Sequence, residues 1–325
     1  MVNLPQKRDY YNLSKQEVSI NMKRFVILFF IFCFVSFLYS TEGVGTTAFA
    51  FLKLTSGVRA QSMGENYVAV ADNVTSIYYN PAGIGCLKRI ELQAEYMLWS
   101  DILTKSNISF LYPKNKIGVF ALGLDYINIP YEKRTEETDN EYESANVSAS
   151  VLQISYAREV MDKILLGISY KFITQNLTEG YSSNGNALDL GCIYRLTQQK
   201  TNIGLSLQNI GQESPSKGDG DKLPMLLRLG QSTKLIQEKL LIVSDLNYGL
   251  IDGTISLGIG GEYKLWNIFY PRIGYKYLFT NNDLSIISGL NFGFVVKYKG
   301  MNLDYALSLK DTLGVTHRVA LGYTF

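Results

Sequence analysis

One histidine and three cysteines are all this 325-residue chain has for soft-metal ligation, imidazole catalysis or cross-linking. That inventory leaves almost nothing for a zinc site, a His-based triad or a disulfide framework. Neither sign of charge dominates: 31 basic and 29 acidic residues give a formal net charge of +2. A nucleic-acid-binding protein relying on a basic surface is thereby excluded. Apolar residues make up 46% of the chain, which excludes a disordered tail. Phosphate-loop chemistry is missing too. Gly258-x-Gly260-Gly261 lies within a strand pattern rather than at a strand-to-helix turn. His317 has no Ser or Asp constellation and reads as an interfacial side chain rather than a catalyst. The sequence therefore predicts no enzyme, no metal and no cofactor.

What is present is aromatic and glycine-rich: 23 Tyr, 16 Phe and 28 Gly against 7 Pro and 2 Trp. That balance describes a large β protein, with a membrane as one setting for it. Residues 1–21 are polar and without sustained period. Met22-Lys23-Arg24 then precedes FVILFFIFCFVSFLY, fifteen residues broken only by Cys33 and Ser36. The two charges, the apolar run and the small residue at Ser40 predict a secretory signal peptide over 22–40. Met22 then stands beside Met1 as a start, with 1–21 an upstream extension. A membrane anchor is the alternative, but the run falls short of the roughly 20 residues a spanning helix needs. Cys33 sits inside the apolar run without a small residue before it, which argues against lipoprotein processing. Cys86 and Cys192 remain in the mature chain, open between paired and free.

After Ser40 no apolar run approaches spanning length. A membrane protein of this kind must be a closed barrel, because an open sheet edge would leave backbone groups unsatisfied in lipid. The second half of the chain has the required period of two. Ile255, Leu257, Ile259 and Tyr263 alternate with Ser256, Gly258, Gly260 and Glu262. Met301, Leu303, Tyr305, Leu307 and Leu309 alternate with Asn302, Asp304, Ser308 and Lys310. Extended over the chain, this pattern predicts strands at 90–100, 104–113, 116–130, 146–158, 163–177, 186–197 and 202–210. Seven more fall at 224–235, 239–250, 254–265, 270–278, 284–298, 301–310 and 316–325. The expected fold is all-β: an antiparallel transmembrane β-barrel of about 14 strands over 89–325.

The connections give an independent argument. Long polar loops at 131–145, 178–185 and 211–223 follow strands three, five and seven, whereas the turns after even-numbered strands are short. Sorting by parity suits an outer-membrane barrel with short periplasmic turns and longer external loops. The chain ends HRVALGYTF, with Val319, Leu321, Tyr323 and Phe325 on one face. Tyr323 and the terminal Phe325 resemble the signal read by the barrel assembly machinery of the bacterial outer membrane, with Ala320 where that signal often has Gly.

Residues 41–88 do not read as membrane strands and are expected to form a hatch that plugs the barrel. Gly57-Val58-Arg59-Ala60, Met63-Gly64, Val68-Ala69-Val70-Ala71-Asp72 and Tyr79-Asn80-Pro81-Ala82-Gly83 follow one another here. This series resembles the opening of the PorV/PorQ family, within the wider group of FadL-type outer-membrane barrels. The resemblance implies a fourteen-stranded barrel holding an N-terminal hatch with an Asn-Pro-Ala motif. Its motif residues here are Arg59, Met63, Gly64, Asp72, Asn80, Pro81, Ala82 and Gly83. Pro81 fixes its own φ and disfavours helix at Asn80, while Asn80 can cap a turn. The same residue types also suit a plain tight turn at the start of the barrel.

Arg59 is open between a lumen carboxylate such as Glu91 or Glu95 and a solvated periplasmic position. Lys171, Asp189, Arg195, Glu262, Arg272 and Lys276 alternate with apolar residues and are expected in the lumen. Such a mixed network fills and stiffens a barrel interior; a selectivity filter is the sharper alternative. The resemblance implies FadL-like transport of hydrophobic small molecules across the bacterial outer membrane. A PorV-like role in type IX protein secretion and a structural surface barrel are the alternatives. Expected partners are outer-membrane lipids, the barrel assembly machinery, and a hydrophobic ligand or secreted protein cargo, but no nucleic acid.

Overall fold

The computed structural model describes residues 47–325 except 101–102, 134–142, 179–180, 198–199, 216–219, 280–285 and 311–313. The expected extension at 1–21 and signal peptide at 22–40 lie outside the described residues. Fourteen strands follow one another: β1 (Glu91–Trp99), β2 (Leu103–Lys114), β3 (Gly118–Lys133), β4 (Glu143–Met161), β5 (Ile164–Thr178), β6 (Tyr181–Thr197) and β7 (Thr201–Pro215). Then come β8 (Leu226–Leu235), β9 (Leu240–Gly249), β10 (Ile255–Tyr263), β11 (Phe269–Phe279), β12 (Leu290–Tyr298), β13 (Met301–Leu309) and β14 (Val315–Thr324). Each pairs antiparallel with its sequence neighbour, and β1 closes on β14 from Glu91↔Thr324 to Trp99↔Thr316. The result is a closed fourteen-stranded antiparallel barrel, as the alternation predicts.

Three expected boundaries need correction. The pattern places a strand over 284–298, but Ile286–Gly289 forms a 3₁₀ turn and β12 begins only at Leu290. Asn291 Nδ2 donates to the Gly289 carbonyl at 2.7 Å, so a side chain satisfies a group that the ladder would otherwise use. The expected loop at 178–185 is mostly strand: Ser182, Ser183, Asn184 and Gly185 pair with Asn176, Gln175, Thr174 and Ile173. The composition there is loop-like, yet the β5–β6 ladder continues to Thr178↔Tyr181. Likewise 211–215 belongs to β7 rather than to the loop expected over 211–223.

The connections after even-numbered strands, at 115–117, 162–163, 198–200, 236–239, 264–268 and 299–300, define one end of the barrel, the short-turn end. Lys299 at φ 47° and Gly300 at φ 84° form the kind of two-residue turn that matches strand twist. The chain terminus is at the same end, where the Phe325 N–H donates to the Ile90 carbonyl at 2.9 Å. The opposite end carries the connections after odd-numbered strands.

The two faces of the wall are inverted relative to a water-soluble protein. Outward residues such as Ile108, Leu122, Leu124, Ile154, Phe172 and Leu303 are exposed, whereas inward Gln93, Glu95, Asn107, Asp125, Gln153 and Asp189 are buried. An apolar band outside and polar groups within suits lipid around the barrel, because exposed apolar area of this extent is avoided in water.

The principal core lies inside the lumen, where segment 47–90 fills the barrel. It contains 3₁₀ turns at Ala50–Lys53, Val74–Tyr78 and Pro81–Ile84 and one short helix, α1 (Val58–Ser62). Met63, Tyr67, Ile77, Tyr79 and Ile84 of this segment are fully buried, clustered with Leu111, Ala121, Ala157 and Val243 of the wall. Inward glycines make the room. A Cβ on Gly274 would lie 2.0 Å from the Met63 carbonyl carbon, and one on Gly167 2.3 Å from the Ala82 nitrogen. On Gly204 and Gly260 it would lie 2.3 Å from the carbonyl oxygens of Val68 and Met63. Glycine at alternate strand positions is therefore a close-approach device. The same fact explains Gly258 and Gly260 in β10, which lie against Asn66 and Met63 within a strand and not at a phosphate-binding turn.

Candidate functional site

Asn80 fastens the hatch to the wall. Its Oδ1 accepts from the Ala82 N–H at 3.1 Å, capping the 3₁₀ turn that Pro81 opens. Its Nδ2 donates to the carbonyls of Val68, Cys192 and Leu205 at 2.8, 3.1 and 3.3 Å. Two of those carbonyls belong to β6 and β7, so the Asn-Pro-Ala turn is tied to the wall and is more than a local reversal. Gly83 is as constrained: a Cβ there would lie 2.5 Å from the Ser76 Cβ and 2.7 Å from the Val70 carbonyl oxygen.

The second attachment is ionic. Arg59, on α1, donates from Nε and Nη2 to both Glu262 oxygens at 2.8 Å each, a bidentate pair. Its Nη1 donates to Asp72 Oδ1 at 2.5 Å and to the Tyr67 hydroxyl at 2.9 Å. Arg272 binds Glu262 from the other side, Nε to Oε2 at 2.6 Å, and also donates to Asp304 at 2.6 Å. Two guanidiniums and three carboxylates thus close on one another between hatch and wall. Burial alone would push the Asp72 carboxyl up, but the Arg59 guanidinium beside it holds it below the ordinary carboxylate range.

Arg59 therefore pairs with neither Glu91 nor Glu95. Glu91 accepts from the Val74 N–H at 2.8 Å. Glu95 accepts from the Gly57 N–H at 2.6 Å and from Arg318 at 3.2 Å. Both are hatch contacts of β1, made through backbone N–H groups that sequence pattern does not reveal. Asp245 does the same on β9, taking the N–H groups of Tyr67 and Val68 at 2.6 and 3.0 Å.

The other expected lumen residues separate into three places. Lys276 reaches Glu65 of the hatch at 2.5 Å, with Lys310 at 3.8 Å from the same carboxylate. Burial would raise the Glu65 carboxyl, but these two ammoniums hold it well below the usual range. Lys171 pairs with Asp189 at 2.7 Å and donates to Asn209 Oδ1 at 2.8 Å, bracing β5, β6 and β7 where β7 takes Asn209 through φ 59°. Arg195 lies at the short-turn rim, paired with Glu159. Met63 packs in the hatch core, and Gly64 takes φ 74° against the Tyr275 backbone. Tyr323 and Phe325 face outward, their rings edge-on with centroids 4.7 Å apart. His317 is on the same outward face, its Nδ1 2.8 Å from the Tyr305 hydroxyl. Cys86 and Cys192 are both free.

At the long-loop end the lumen changes character. Val151, Ile173, Ala187 and Leu223 surround Phe49, while Met97, Leu103, Ile127 and Ala149 meet Phe51 and Leu54. Phe49 takes φ 51° to reach this compartment, and its ring lies against Gly185, where a Cβ would come within 2.5 Å of it. The segment is held there by a Lys53–Asp252 ion pair and by the Ala48 N–H donating to the Lys222 carbonyl at 3.1 Å. At the short-turn end a cavity of about 310 Å³ lies beneath the Arg59 network.

Glu65, Lys53, Asp252 and the Phe49–Leu54 occupant are the site residues that sequence reading misses. A charge in a plug has no periodicity, so its only signal would be pairing, which needs the fold.

No protein-family model and no curated protein sequence matches the chain. Solved structures do match it in fold. The toluene transporter TodX of Pseudomonas putida is 14% identical, with a TM-score of 0.59, 83% of this chain and 97% of that one being covered. The monoaromatic hydrocarbon channel CymD is 14% identical with a TM-score of 0.58, covering 83% and 97%. A FadL homologue of Pseudomonas aeruginosa is 11% identical with a TM-score of 0.56, covering 83% and 98%. The fold is that of the FadL-type barrels.

Proposed function

We propose that this protein sits in a bacterial outer membrane and carries hydrophobic small molecules across it, the short-turn end facing the periplasm. The observation that carries this reading is the apolar compartment at the long-loop end. Apart from the hatch's own core, this is where the lumen is most apolar: aliphatic side chains from the walls converge on Phe49, Phe51 and Leu54. An apolar chamber inside a barrel already surrounded by lipid adds nothing to membrane insertion, but it suits a hydrophobic cargo. The likeness of fold to transporters and channels for aromatic hydrocarbons supports the same reading. The chain's own residues 49–54 occupy the chamber as cargo would, and the hatch below them closes the route.

Uptake tests it. The protein is expressed in a host lacking its own transporter of this type, and accumulation of labelled toluene and of a long-chain amphiphile is followed. Saturable uptake is expected, and Ile173→Asp, which places a charge in the chamber lining, is expected to abolish it while the barrel still inserts. Uptake equal to the empty host for both probes would overturn the reading. The resemblance of the Gly57–Gly83 motif to the PorV/PorQ family favours a second reading, a component of protein secretion. On that reading deletion strips exported proteins from the cell surface and leaves uptake intact.

A further inference from the structure

The cavity beneath the Arg59 network has no role in the reading above. It is bounded by the strand ends of the short-turn rim, from β8 round to β14 and β1, and by the hatch. Its volume of about 310 Å³ lies at the lower end of small-molecule sites. Four lysines line it: Lys234 of β8, Lys239 in the following turn, Lys264 after β10 and Lys297 of β12. None of them makes an ion pair with a described residue; Lys297 only lies over the Tyr270 ring, 4.8 Å from its centroid.

The carboxylates of the cavity are mostly spoken for. Glu262, Asp304 and Asp72 are bonded to Arg59 and Arg272, and Glu91 accepts the Val74 N–H. Glu238, in the exposed turn, completes the acidic lining. Over the whole lining four ammoniums and two guanidiniums face five carboxylates, and the four ammoniums are the cations that make no ion pair with a described residue. Holding uncompensated like charges around one hollow costs free energy, and an anion there would recover it.

We propose that this cavity binds a small phosphate-bearing molecule carrying at least two negative charges. The class follows from which cations are free. The planar guanidinium forks that read carboxylates bidentately, Arg59 and Arg272, are already filled by carboxylates. What remains are compact ammonium charges spread along one arc, which suit a tetrahedral oxyanion with charge on several oxygens. The Tyr270 ring and Leu241 add apolar surface for the body of an ester.

Titration calorimetry on the full-length barrel in detergent, at low ionic strength and with pyrophosphate as the probe, tests this. Saturable 1:1 binding is expected. The Lys234→Gln/Lys264→Gln variant is expected to weaken it by tenfold or more. Lys116→Gln, in the 115–117 turn at the same end but outside the cavity, is expected to leave it unchanged. Competition then identifies the source. Displacement by glycerol 3-phosphate marks a soluble ligand, and displacement only by micelles doped with phosphatidic acid marks a lipid headgroup. Either result upholds the site. Absence of saturable binding, equal weakening in Lys116→Gln, or equal affinity for citrate would overturn the proposal. None of these readouts involves a hydrophobic cargo, so failure here leaves the transport reading standing.

Discussion

Replacing Arg59 with Met tests what keeps the hatch seated. The methionine retains most of the apolar stem but removes the guanidinium and its four hydrogen bonds, two to Glu262 and one each to Asp72 and Tyr67. The loss is unequal for the two acids. Glu262 keeps Arg272 at 2.6 Å, whereas Asp72 keeps only the Tyr67 hydroxyl at 3.3 Å. Removing one partner of a buried pair costs about 3–5 kcal/mol, chiefly through the charge left behind. The Asp72 side chain is 29% exposed, toward the cavity, so water offsets part of that penalty and the lower end, about 3 kcal/mol, applies. At about 1.4 kcal/mol per decade, the hatch equilibrium should shift toward release by roughly a hundredfold. The assay is conductance across a planar bilayer, with barrel integrity followed by the heat-sensitive electrophoretic mobility of the folded form. The conducting fraction should rise in Arg59→Met and fall back in Arg59→Met/Asp72→Asn, which removes the stranded charge. An intact barrel with unchanged conductance in the single variant would refute the reasoning.

Two further outcomes follow from the same contacts. Gly274→Ala puts a methyl where the Met63 backbone lies, so the hatch should become protease-sensitive while the strands still form. The outward-facing Gly261, whose Cβ would meet only the Leu241 carbonyl oxygen at 3.7 Å, should tolerate the same change; equal sensitivity in both would discount the close-approach argument. The acid response has a definite sign. Burial works to raise Glu65, Asp72 and Asp252, but Lys276 with Lys310, Arg59 and Lys53 respectively hold each below its ordinary value. Their contribution to hatch seating is therefore fully present above the ordinary carboxylate range, about pH 4, and is lost as pH falls through the lowered values. Conductance should rise as pH falls below about 4, and Glu65→Gln should already conduct at pH 7; no rise below pH 4 would refute this.

The barrel was legible because its information is local and periodic. Alternation along Met301–Leu309 or Ile255–Tyr263 states which face meets lipid, and fourteen such segments state the strand number. Where the period ran on without a ladder, at Ile286–Gly289, the reading failed; where polar residues continued a ladder, at Tyr181–Gly185, it failed in the opposite sense. The segment 41–88 was set apart because it breaks the period, and its described part, from 47, lies in the lumen; its Asn80-Pro81 turn could be read from residue chemistry. Its partners could not. Glu95 and Asp245 accept backbone N–H groups, and a backbone donor has no signature in sequence. The Arg59–Glu262 pair joins positions 203 residues apart, so nothing short of closing the barrel brings them together.

The inward glycines also set an order of assembly. Hatch atoms lie within less than a side chain of glycines on β3, β5, β6, β7, β8, β10, β11 and β12, so the plug is encircled with no clearance along its length. Such a body cannot be threaded into a finished cylinder without spreading the wall. The seam between β1 and β14 is the pairing of greatest sequence separation, so its closure carries the largest loop entropy. The hatch precedes every strand in the chain, so it is at hand while the sheet is still open. A plug so closely held suits a sheet that closes around it better than a finished cylinder it must enter, so the same segment that stops the pore also sets the bore it must have.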